Sequence, residues 1–175
     1  MKKSFSIRDM IYVSLMAVVI ALCSWLSVPS AVPFTMQTFA VFCALLLLGG
    51  RRGFLAVGLY ILLGAFGLPV FSGFRGGIGV LLGPTGGYIL GFLLSALLFW
   101  LLEGKLGELV LLIGGLGLCY LFGTLWFVHI YSSSGKEIGF GAALMLCVVP
   151  YLLPDAIKLL LAFVLARRVK KAVKL

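Results

Sequence analysis

The chain of 175 residues is 63% hydrophobic and only 11% charged, where a soluble domain would be about a quarter charged. No soluble fold of this length can hide that much apolar surface, so the composition excludes a soluble globular domain and implies a polytopic membrane protein. The formal charge of +9 does not point to nucleic acid, because the cations cluster between apolar runs and do not spread over one face.

Six apolar segments follow one another, at about 10–28, 34–49, 53–71, 84–102, 108–131 and 141–166. They predict an all-α fold: one integral membrane domain of six transmembrane helices. The first run, Met10 to Val28, is long enough to span and is followed by further spans, so a retained helix is expected in place of a cleaved leader. Within it Ala17 and Ala21 stand four apart, a small-residue spacing that lets another helix approach closely. The stretch VPSAVPFTMQTF, residues 28–39, reads as a stiff outer loop, with Gln37 at the head of the second segment either bonding a ligand or capping the helix.

The third segment ends at Pro69 and leads into GFRGGIGVLLGPTGGYILGF, residues 73–92. Its glycines permit tight turns and close backbone approach to a ligand, and Arg75 is the only charge between Gly53 and Leu102. Two readings stand: an outer lid over a pocket, or glycines that serve helix packing alone. On the first, a helix starting at Pro84 would point the N–H groups around Thr85 and Gly86 outward, with the Tyr88 phenol at the pocket mouth. GPTGGY lacks the Lys-Ser/Thr of a Walker A loop, so ATP hydrolysis by that route is excluded.

The fifth segment ends near His129, the single histidine, followed by Ser132, Ser133 and Ser134. No nucleophile-elbow setting surrounds them, and five acids with one histidine are too few for metal chemistry. Neither an enzyme, a metal nor a cofactor is expected. The four cysteines, Cys23, Cys43, Cys119 and Cys147, lie singly in apolar runs and read as small packing residues.

The sixth segment, PYLLPDAIKLLLAF at 150–163, carries Asp155 and Lys158 three apart and two prolines that should kink its first half. Counted back from Arg167, Lys158 lies roughly 13 Å and Asp155 about 18 Å into the bilayer at 1.5 Å per residue. Ionisable groups at that depth are expensive. They either neutralise each other as a pair that sets helix packing, or line an outward-facing cavity that takes a polar ligand.

Six spans put both termini on one side. Lys2, Lys3, Arg8, Arg51, Arg52, Lys105, Arg167, Arg168, Lys170, Lys171 and Lys174 share that side, against Arg75 and Lys136 opposite. This asymmetry places both termini in the cytoplasm.

TMQTF, the block from GLPVF to GPTGGYILGF, and PDAIKLLLA together resemble the BioY family, the biotin-specific substrate-binding components of energy-coupling factor (ECF) transporters. The resemblance covers residues 8 to 168. It implies a multi-pass cell-membrane protein that captures biotin from outside and works with a transmembrane coupling protein and a pair of cytoplasmic ATPases. By the same resemblance Asp155, Lys158 and Tyr88 match polar positions of the biotin site, and Ala17 and Ala21 match a helix face that touches the coupling protein. Arg75 departs from the family pattern, where a small or neutral residue is common, so its ligand role rests on its charge alone. The competing expectation is an autonomous transporter with Asp155 as proton carrier.

Overall fold

In a computed structural model, which describes residues 6–30, 32–135 and 138–173, the chain is a bundle of helices. In order they are α1 (Ile7–Trp25), α2 (Gln37–Leu48), α3 (Gly50–Ala65), α4 (Ile78–Leu81), α5 (Gly86–Leu102), α6 (Glu108–Ser133), α7 (Phe140–Cys147) and α8 (Val149–Val173). Between α1 and α2 runs a small antiparallel ribbon, β1 (Ser27–Val28) with β2 (Phe34–Thr35). The expected stiff outer loop is therefore a hairpin, its ends pinned where Ser27 faces Thr35. Lys2, Lys3, Lys136 and Lys174 lie outside the described residues.

Three helices, α1, α6 and α8, are each long and apolar enough to cross a membrane. The other spans are shorter. α2 has 12 residues, about 18 Å of rise, yet it is buried along most of its length. It runs between α1, α3 and α8, so its neighbours shield its ends from lipid. The sixth span is α7 and α8 in series, broken at Val148, which leaves helical geometry with φ −124° and ψ −53°. The break falls two residues before Pro150, whose ring has no N–H to donate and clashes with the carbonyl one turn back. Pro154 sits inside α8, with no N–H to return to the carbonyl of Pro150.

Burial on α8 follows one stripe, Asp155, Lys158, Leu159, Ala162 and Ala166, while Leu153, Ile157, Leu160, Leu161 and Val164 face outward. That is the helical period of an element packed on one side and bathed in lipid on the other.

One end of the bundle collects the charges. Asp9 of α1 pairs with Arg52 at 2.8 Å, the Glu103 carboxylate accepts from the N–H of Gly50 at 2.9 Å, and Lys170 meets Glu108 at 2.9 Å. The start of α1, the α2–α3 and α5–α6 turns and the end of α8 thus share one face, as six spans with cytoplasmic termini require. Arg51 and Arg52 belong to the first turn of α3, which starts at Gly50, earlier than its hydropathy suggested.

Ala17 and Ala21 are 1% and 6% exposed, inside the core. Within the chain alone, the close approach their size permits is used for packing in the bundle. The outward face of α1 carries Ile11, Leu15, Val18 and Leu22.

Candidate ligand-binding site

At the end opposite the charged turns, α2, α5, α6, α8, the hairpin and the 66–85 loop enclose a cavity of about 710 Å³, its open mouth included.

Its polar end is built on α8. Tyr151, Asp155 and Lys158 recur at four and three residues, so they share a face, and all three line the cavity. Asp155 and Lys158 are only 5% and 4% exposed. Lys158 Nζ donates to Asp155 Oδ1 at 2.8 Å and to the Thr35 carbonyl at 2.6 Å, and lies 3.8 Å from the centre of the Phe34 ring. The Tyr120 hydroxyl of α6 donates to Asp155 Oδ2 at 2.6 Å. A buried pair needs such additional bonds to offset its desolvation.

Around this end the other elements supply mixed walls. Gln37 and Thr38 come from the first turn of α2, Tyr88 and Ile89 from α5, Leu116 and Cys119 from α6, and Cys147 from α7. Gln37 is buried, and its side-chain nitrogen Nε2 has no hydrogen-bond partner among the described residues. A buried amide donor left open beside a cavity is costly unless something arrives to accept it. The Tyr88 hydroxyl instead pairs with Thr124 Oγ1 at 3.1 Å, so its phenol is held in the wall and not at the mouth.

The 66–85 loop closes the outer side. The Trp25 indole donates to the Pro69 carbonyl at 2.8 Å and that of Trp126 to Gly83 at 3.0 Å. Trp25 also stacks on Phe74 at 4.9 Å, the one non-glycine described residue with positive φ. Arg75 lies in this loop, exposed, with its Nε donating to the Ser72 carbonyl at 3.1 Å.

The structure thus brings Asp155, Lys158, Tyr88, Arg75, Gln37 and Thr85 to one cavity. Gly86 is corrected: it does not line the cavity, and a Cβ there would fall 1.8 Å from the Leu81 carbonyl oxygen, so the missing side chain serves backbone packing. α5 begins at Gly86 with Thr85 as its cap, two residues later than Pro84. None of the three tryptophans lines the cavity. Tyr120, Tyr151 and Phe34 were not singled out from the sequence. Tyr120 and Tyr151 had a faint signal, as hydroxyls inside apolar runs, but nothing local tells which way they turn. Cys119 and Cys147, read as packing residues, also reach the cavity wall.

The sequence pattern of the BioY family matches the chain over residues 1–175. The chain belongs to the BioY family. This BioY-family chain is 40% identical over 169 residues to the biotin transporter BioY of Thermotoga maritima, covering 94% of this chain and 96% of that one. It is 41% identical over 162 residues to the probable biotin transporter BioY of Pyrococcus horikoshii, covering 90% and 95%. Its fold superposes with a TM-score of 0.82 on the crystal structure of the S-component for biotin from an ECF-type ABC transporter, at 27% identity, over 98% of this chain and 95% of that one.

Proposed function

We propose that this chain captures biotin at the outer face of the cell membrane, as the substrate-binding subunit of an ECF transporter. The observation that carries the reading is the Asp155–Lys158 pair, buried yet open on a cavity beside an unpartnered Gln37 amide, in a chain of the BioY family. Biotin presents a ureido ring with two N–H donors and a carbonyl at one end and a carboxylate at the other. One ureido N–H goes to Asp155 and the ureido carbonyl to Gln37 or Lys158. Lys158 is already engaged by Asp155, Thr35 and the Phe34 ring, while the Arg75 side chain makes one hydrogen bond among the described residues, to the Ser72 carbonyl. That difference supports Arg75 at the mouth, and not Lys158, as the partner of the ligand carboxylate. The chain has no nucleotide-binding motif of its own, so its energy comes from the coupling protein and ATPase pair it would join.

The proton-carrier reading is the weaker one, because a carboxylate must give up its ion pair to take up a proton and Asp155 is tied to both Lys158 and Tyr120. Labelled biotin binding to the purified protein in detergent is the test, beside Asp155→Asn and Arg75→Gln. Tight, near-stoichiometric binding is expected, with each substitution weakening it tenfold or more, about 1.4 kcal/mol. A folded wild-type protein that ignores biotin overturns the proposal.

A further inference from the structure

The end of α8 divides its cations between two faces. Lys170 stands one turn after Ala166, on the buried stripe, and turns to Glu108 of α6 at 2.9 Å. Arg167, Arg168 and Lys171 each stand two turns after Leu160, Leu161 and Val164 respectively, and so share their side of the helix. The three cations continue the outward stripe, and like those apolar residues they are exposed.

Among the described residues nothing neutralises them. Asp9 is engaged by Arg52, Asp155 by Lys158, Glu108 by Lys170, and Glu103 by the Gly50 N–H. The Arg167 guanidinium lies 4.3 Å from the centre of the Phe163 ring, one turn back, which holds it at the junction of apolar and basic surface. Arg167 to Lys171 covers about 6 Å of helix axis, comparable with the headgroup layer of one leaflet, about 5–8 Å. Cations near a helix C-terminus also suit the macrodipole, but the dipole acts along the axis and does not select one face.

We infer that this face of α8 is a binding surface for anionic phospholipids of the cytoplasmic leaflet. The acyl chains lie along Leu160, Leu161 and Val164, and the phosphate meets Arg167, Arg168 and Lys171. Arginine grips phosphate through parallel N–H···O bonds, and lysine adds a point charge. The apolar stripe runs directly into the unneutralised cations, and that continuity favours a lipid over a free phosphate or an acidic segment of a partner protein. The grip falls on the helix that carries Asp155 and Lys158, so it fixes the depth of the cavity's polar end in the membrane.

The test mixes the purified full chain in detergent with equimolar phosphatidylglycerol and phosphatidylcholine of identical acyl chains. Native mass spectrometry then counts the lipids retained. Wild type is expected to retain phosphatidylglycerol over phosphatidylcholine by about tenfold or more, as several cations at a headgroup imply. Arg168→Gln should cut that preference about fivefold, the share of one such cation. Lys170→Gln removes the same charge from the other face and should change it less than about twofold. Arg167→Gln with Arg168→Gln and Lys171→Gln should abolish it, and the single substitutions carry the test should that triple variant misfold. Wild type without a preference overturns the inference, as does an equal loss from Lys170→Gln, which would make net charge and not this face the cause. Displacement by soluble glycerophosphoglycerol at equal concentration overturns it too, since the site would then need no acyl chain. A triple variant that keeps its lipid preference but no longer co-purifies with the coupling protein and ATPase pair gives the face to a protein partner and likewise overturns it.

Discussion

Asp155 and Lys158 pose two roles that one substitution cannot separate. Removing a single partner of a buried ion pair strands the other charge and costs about 3–5 kcal/mol, whereas replacing both with apolar groups of similar size is often neutral. The paired replacement Asp155→Leu with Lys158→Met is therefore expected to restore most of the stability that Lys158→Met alone loses, while biotin binding stays absent. Thermal denaturation and labelled-ligand binding on the same samples read the two roles apart, and recovery of binding by the double variant would make the pair a packing device only. Gln37 makes the complementary case. Its buried nitrogen has no partner, and such a group costs about 1–3 kcal/mol. Gln37→Met, close in volume, should leave the ligand-free melting temperature unchanged or raised while weakening biotin roughly tenfold. An unaltered affinity would remove Gln37 from the site.

Between elements, the site depends on how closely α5 and α6 approach. A Cβ on Gly91 would lie 2.8 Å from Cys119 Sγ, and one on Gly123 would lie 2.3 Å from the Tyr88 ring. Both neighbours line the cavity, so absent side chains on one helix set the position of wall residues on the other. Gly123→Ala gains about 1 kcal/mol of helix propensity but forces Tyr88 away from Thr124, and overpacking of this kind costs about 1–3 kcal/mol. A lower melting temperature together with weaker biotin binding is expected, and a stabilised variant with intact binding would refute the close fit. By contrast the Lys170–Glu108 bridge is well exposed on both sides. Exposed pairs of this kind contribute about 0–1 kcal/mol, so Glu108→Gln should shift stability only slightly.

For the molecule as a whole, the ends of the bundle divide the work. The charged turns gather at one end and the cavity opens at the other, so the ligand enters from the side the cations avoid. Phe74→Cys, in the exposed tip of the 66–85 loop, should react with a membrane-impermeant maleimide added to intact cells. Lys105→Cys, in the α5–α6 turn beside Glu103, should react only after the cells are opened. The reverse pattern would invert the topology and with it the outward-facing site.

Span number, orientation and the pairing of Asp155 with Lys158 were legible because each follows from a quantity that is local along the chain. Apolar run length sets what can cross a bilayer, cation placement sets which end stays inside, and a charge within a run marks a site by its cost. The break before Pro150 was legible for the same reason, as a steric property of one proline ring. What the tertiary structure alone decided is the direction in which side chains turn. Ala17 and Ala21 point into the core, Gly86 serves the Leu81 backbone, the tryptophans brace loops and helices outside the cavity, and Tyr120 crosses from α6 to grip Asp155. In a helix that is apolar all round, periodicity no longer distinguishes one face from another, so rotation about the helix axis is set by packing between segments far apart in sequence.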